Sequence, residues 1–127
     1  MSYDPNNVFA KILRGEIPST KVYEDADTLA FMDIMPRCEG HVLVIPKTPA
    51  RNLLDASPAQ LAACLVTVQK IAKAQMQAFG AGGITIQHFN EPAGCQVVFH
   101  MAWPGIGQLA KQGDGFRYVP VPMQLVP

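Results

Sequence analysis

His41-Val42-Leu43-Val44-Ile45-Pro46 is apolar at nearly every position, where a strand with one wet face would alternate. The run reads as a central strand covered on both sides, and the rest of the chain is placed around it. Just upstream, Pro36 to Gly40 break any pattern. Before that, Lys21-Val22-Tyr23-Glu24 and Thr28 to Ile34 read as two strands around an Asp25-Ala26-Asp27 turn. Asn6-Asn7 ahead of Val8-Phe9-Ala10-Lys11-Ile12-Leu13, with Gly15 behind, predict a short capped helix.

Downstream, Ser57-Pro58-Ala59-Gln60 supplies an N-cap, a proline at the first helical position and a glutamine placed for a capping box. Leu61, Leu65, Val68, Ala72 and Phe79 then recur at helical spacing, and Gly80 can stop the helix. Ile84 to Asn90 and Gln96 to Trp103 read as two further strands joined by Glu91-Pro92-Ala93-Gly94-Cys95. From Pro104 to Pro127 no period is visible, so an irregular tail is expected. The fold class is α+β: about five strands in a mostly antiparallel sheet with two helices, the longer packed on one face. The other face must hold a ligand or a partner, since Phe31, Ile84 and Ile86 open to water would be sticky.

With 127 residues, 49% of them hydrophobic, the chain has the size of a single domain over 1–127 with one core. Ten basic residues balance ten acidic ones, which argues against a nucleic-acid backbone tracker or an electrostatic membrane binder. No apolar run is long enough to span a bilayer, and Met1-Ser2-Tyr3-Asp4-Pro5 lacks the basic start of a signal peptide. A cytoplasmic location is expected. Cys38, Cys64 and Cys95 form neither a metal-type pair nor a disulfide framework. No cofactor is expected. A metal site from His41, His88, His100 and a cysteine lacks close ligand spacing, so none is assigned.

The strings Val8-Phe9-Ala10-Lys11-Ile12, Val22-Tyr23-Glu24-Asp25, Leu29 to Pro36, Gly40 to Lys47 and Asn90-Glu91-Pro92 occur in this order. Together they resemble the histidine triad (HIT) family of nucleotide-binding hydrolases and transferases. The resemblance covers residue 3 to about residue 103 and touches Asp114-Gly115-Phe116 again. It implies a homodimer whose sheet holds a nucleoside phosphate. Phe9, Ile12, Phe31 and Ile34 would then surround the base and Asp33 would bind the ribose. Asn90, Gln96 and backbone N–H groups from Cys95 to Val97 would hold the phosphate, a turn of fixed amides being a good anion site.

The family's final strand carries His-x-His-x-His, with the middle imidazole attacking phosphorus. This chain has His100, Ala102 and Pro104 at those places. Alanine has no lone pair to offer, and proline lacks even a backbone N–H, so the ancestral hydrolysis is expected to be lost. The losses cluster on one pocket wall that also gains Cys95 and His88, while the scaffold is intact. That combination reads as an engineered pocket. A cysteine-dependent hydrolase of activated esters is the leading expectation: His88 takes the Cys95 proton, the thiolate attacks the acyl carbon, and loop amides hold the oxyanion. Cys38 is the reserve nucleophile. Setting Asn90 opposite Gln96 puts His88 opposite Val98, a diagonal step from Cys95. Trp103 either floors a pocket for an aromatic group or packs as an ordinary strand residue. The alternative is a catalytically inactive HIT-like nucleotide-binding module, and the ligand is correspondingly a small ester or a nucleotide.

Overall fold

The structure is a computed structural model that describes residues 2–32, 42–79, 82–108 and 118–119. Asp33, Ile34, Cys38 and His41 lie outside the described residues. Helix α1 (Val8–Leu13) starts where the Asn7 side chain accepts the Ala10 N–H at 2.9 Å, closing one otherwise unpaired donor. Gly15 follows at φ 78°, a left-handed conformation that glycine adopts without a Cβ clash. Helix α2 (Pro58–Phe79) opens with the expected box. The Ser57 hydroxyl accepts from the Gln60 N–H at 3.1 Å, and the Gln60 carbonyl oxygen accepts from the Ser57 N–H at 2.8 Å. The other Gln60 amide atom donates to Thr48 Oγ1 at 2.7 Å, tying the helix start to the segment before it. No helix among the described residues is long and apolar enough to cross a membrane.

Strands β1 (Lys21–Glu24), β2 (Thr28–Met32), β3 (Val42–Pro46), β4 (Gly83–Ile86) and β5 (Trp103–Gln108) form one antiparallel sheet in the order β1-β2-β3-β5-β4. The run at Val42–Pro46 is central and buried at every position. Directly paired residues share a face, so the register sorts the core into two layers. Ala30, Val42 and Val44 pack against Val68, Ile71 and Ala74 of α2, with Trp103 beside them. Leu29, Phe31, Leu43 and Ile45 pack on the opposite face against Ile12, with Phe9 and Ala102 at the margin. The face expected to await a ligand or partner is thus covered in part by α1, and Phe31 keeps only 2% of its surface.

Two boundaries differ from the sequence reading. The fourth strand ends at Ile86 rather than Asn90, and the fifth starts at Trp103 rather than Gln96. Pro104 explains the first: Gln87 N–H donates to its carbonyl at 2.9 Å, and the return bond needs an N–H that proline lacks. The second follows from competition. Met101 N–H goes to Ala50 O at 2.8 Å and the Pro46 carbonyl faces His100 Nε2 at 2.8 Å, so neither extends the ladder. The tail expected to be irregular from Pro104 carries β5 to Gln108 and a two-residue strand β6 (Tyr118–Val119) paired with it.

Candidate functional site

Two loops meet beside the end of β3. One is Ala50 to Asp55, the other Asn90 to Gln96, which holds a single 3-10 turn at Pro92–Gly94. Arg51 forks onto the Glu91 carboxylate, Nε to Oε2 at 2.7 Å and Nη2 to Oε1 at 2.9 Å, the bidentate geometry that is strongest between these groups. The same guanidinium lies 4.1 Å over the Phe99 ring. Asn52, buried, donates to Glu91 Oε2 at 2.6 Å and to Gln96 Oε1 at 3.0 Å. Leu53 N–H donates to Asn90 Oδ1 at 2.9 Å. Three consecutive residues therefore grip three positions of the facing loop. Hydrogen bonding to Arg51 draws the Glu91 carboxyl below its ordinary range, and the same contact raises Arg51.

Within the loop, Gln96 Oε1 also accepts from Glu91 N–H at 2.8 Å, and Gln96 Nε2 donates to Arg51 O at 2.7 Å. The N–H groups of Gly94, Cys95 and Gln96 point back to Glu91 O, Pro92 O and Glu91 O respectively. Of the amides expected to cradle an anion, those at Cys95 and Gln96 are thus engaged. Among the described residues, the Val97 N–H and Asn90 Nδ2 have no hydrogen-bond partner, and Val97 is 80% exposed. Each is a donor left free at one end of the loop.

His88 sits elsewhere than the hairpin register expected. With Ile86 paired to Gly105, it falls beside Trp103 rather than Val98, and the two rings stack at 4.1 Å and 15°. Its Nδ1 is 2.9 Å from the Ala102 carbonyl and its Nε2 is 3.2 Å from Asn90 Oδ1, so both ring nitrogens are turned to partners other than Cys95. Trp103 packs toward α2, on the opposite face from Phe31 and Ala102. It therefore does not floor the cavity expected near Phe31. Cys95 is exposed at φ 70°, at the end of the 3-10 turn. Cys64 is buried in α2, where burial first and Asp25 second push its thiol up to about 12.

On the Phe31 face, His100 is buried with both nitrogens engaged. Nε2 donates to Pro46 O at 2.8 Å, which leaves Nδ1 to accept from Tyr3 OH at 2.6 Å. Burial lowers its pKa from the ordinary histidine value. Phe9 meets Phe31 edge to face at 5.6 Å; Ile12 and Phe31 are closed into the core, so Phe9 is the partly open side chain of that set. Ala102 presents a methyl to the same layer. Among the described residues no three His, Cys, Asp or Glu side chains gather in a metal-binding group. Sequence reasoning missed Tyr3, Arg51, Asn52 and the role of Glu91. Only Glu91 carried any local signal, through its place in Asn90-Glu91-Pro92.

Residues 14–103 match the HIT domain family. Protein hit of Bacillus subtilis (strain 168) is 43% identical over 115 residues, covering 90% of this chain and 78% of that protein. Adenylylsulfatase HINT3 of Arabidopsis thaliana is 39% identical over 93 residues, covering 73% of this chain and 47% of that protein. Among solved structures, a Hit-like protein involved in cell-cycle regulation from Bartonella henselae, crystallised with an unknown ligand, superposes with a TM-score of 0.83 at 48% identity. That superposition covers 98% of this chain and 92% of the other. A zinc-bound histidine triad family protein from Mycobacterium smegmatis gives 0.78 at 33% identity, covering 94% and 87%. None of these four is described as an esterase or as an engineered protein.

Proposed function

We propose, from the premise that this chain belongs to the HIT domain family, that it is a nucleotide-binding module in which the family's nucleotidyl-transfer step is lost. One observation carries the reading. The described residues of the Phe31 face include one imidazole, His100, and both its nitrogens are already bonded to Pro46 and Tyr3. Ala102 beside it cannot attack phosphorus. A nucleoside phosphate would set its base against Phe9 and the rim of Ile12 and Phe31, with Ile34 beside it, and its ribose toward Asp33. Its phosphate would meet Asn90 Nδ2 and the Val97 N–H, a short cradle of neutral donors. Calorimetry with adenosine monophosphate tests binding, and trapping with a labelled adenylate donor tests transfer. Binding without a covalent adenylate is the expected pair of results; a recovered adenylyl-protein would overturn the reading.

A thiol reading has its own support in the exposed sulfur of Cys95 on a left-handed turn. In that case an activated aryl ester would give a burst that Cys95→Ala abolishes, with Cys38 the reserve nucleophile. The orientation of His88 weighs against it, since its nitrogens face Ala102 O and Asn90 Oδ1 rather than Cys95, and a general base must reach the proton it removes. A second copy of the chain is the proposed partner. It would cover Leu65 and Met76, about three turns apart on α2 and 47% and 41% exposed, together with Ile86 on the edge strand β4. Leu65→Glu is expected to shift the protein to monomer in sedimentation; an unchanged assembly would remove α2 from the contact.

A further inference from the structure

We infer that Glu91 is a positioning residue for the anion subsite: pinned by Arg51 and Asn52, it holds Asn90 Nδ2 and the Val97 N–H in place at the two ends of its loop. The inference rests on the nucleotide-binding reading for its ligand, and on geometry for everything else. Glu91 has φ 64° and ψ 164°, a backbone region that side-chain-bearing residues avoid and glycine enters freely. Such a conformation persists only where the surroundings over-determine it. Here they do so through six bonds, one of them from the Gly94 N–H to the Glu91 carbonyl. Arg51 supplies two and Asn52 one to the carboxylate; Gln96 takes the Glu91 N–H and gives its own N–H to the Glu91 carbonyl.

The consequence for the two free donors is direct. Asn90 precedes Glu91, and its Oδ1 is held by the Leu53 N–H, so Nδ2 is the amide atom left to point away. Val97 follows Gln96, whose amide is locked between Asn52, Glu91, Arg51 O and Val98 O. Moving Glu91 would turn the chain at both ends of the loop at once. Glycine in its place could still reach the same φ and ψ and keep the backbone bonds to Gly94 and Gln96, but the three carboxylate bonds that pin the loop to Arg51 and Asn52 would be gone. The carboxylate therefore acts at a distance, through the backbone, and touches no ligand itself.

The test compares adenosine with adenosine monophosphate on wild type, Glu91→Gln and Glu91→Gly, each first shown to melt cooperatively. Loss of phosphate positioning is expected to weaken the monophosphate about tenfold in Glu91→Gly while adenosine changes less than about twofold. Glu91→Gln, which keeps an acceptor for Asn52 but not the charge for Arg51, should fall between. Cys95, exposed on the same loop, serves as a ligand-free reporter: its alkylation by iodoacetamide should accelerate in Glu91→Gly. Equal loss for both ligands, or no loss for either, with an unchanged alkylation rate, overturns the inference. If wild type binds neither ligand, the module reading falls, and the alkylation rate alone decides whether Glu91 holds the loop.

Discussion

The two sides of the sheet's β5 end treat buried polarity in opposite ways. At the loop pair, Asn52, Gln96, Glu91 and Arg51 satisfy one another almost completely, including an Asn52 amide that is 1% exposed. Under α2, the Gln75 amide and the Trp103 indole N–H are buried with no partner among the described residues. Both line a small cavity of about 10 Å³ bounded by Val42, Val68 and Ile84. A matched network is costly to break because each deletion strands its partners, whereas an unmatched group already carries its desolvation cost. Substitutions on the two sides should therefore differ in sign.

The largest effect is expected on the matched side. Asn52→Ala removes two donated bonds and the acceptor for the Leu54 N–H at 2.9 Å, leaving Gln96 short of a donor in a buried place. A loss of about 3 kcal/mol is expected from such stranded groups, read as an earlier denaturation midpoint with unchanged slope. A loss below about 0.5 kcal/mol, the range of an ordinary surface change, would show that water replaces Asn52 and would dissolve the contrast.

The other arm sharpens it. Gln75→Met keeps the length and flexibility of the side chain and removes an amide without partners. Relief of that desolvation is expected to raise stability by about 1 kcal/mol, near 3 °C in melting temperature for a domain of this size. A fall instead would mean that the amide has a partner beyond the described residues, and the two sides would then follow one rule.

Much of the unmatched side was legible in the sequence, and little of the matched side. The α2 layer announces itself through local signals: the Ser57 to Gln60 box and the helical recurrence of Leu61, Val68 and Ala72 are readable within one segment. The apolar run at Val42–Pro46 likewise states its own burial. The loop clamp instead joins Arg51 to Glu91 across forty positions, and no local rule links a loop arginine to a loop glutamate. His88 was placed on the wrong neighbour for a related reason. Its register depends on which stretch pairs with β4: the sequence reading used Gln96 to Trp103 and stopped before Pro104, whereas the ladder runs along Trp103–Gln108. The absence of an imidazole at Ala102 needed no geometry at all.

The smallest expected effect is pH dependence, and its sign can be worked out for two groups on the matched side. His100 is neutral in its buried place between Tyr3 and Pro46, with its folded pKa below the ordinary 6.5. As pH falls through 6.5 the unfolded chain takes up a proton that the folded chain refuses, so stability present above that value declines toward the lower folded one. Glu91 is held ionised by Arg51, its folded pKa below the ordinary 4.5, so its contribution stands above 4.5 and is lost as pH falls further. The melting temperature should therefore drop in two separable stages on acidification. Tyr3→Phe, which removes the hydroxyl from Nδ1, should change the first stage alone, and Glu91→Gln should shrink the second alone, leaving the part due to Glu24 and Asp25. A single stage insensitive to both would mean that neither group couples its proton to folding. Trp103 and Gln75 do not titrate and contribute to neither stage. Asp25, which accepts from Thr67 of α2 and whose burial is outweighed by N–H bonds from Asp27 and Thr28 so that its pKa is lowered, adds to the second. Any acid loss traced to Gln75→Met would break the comparison from that side.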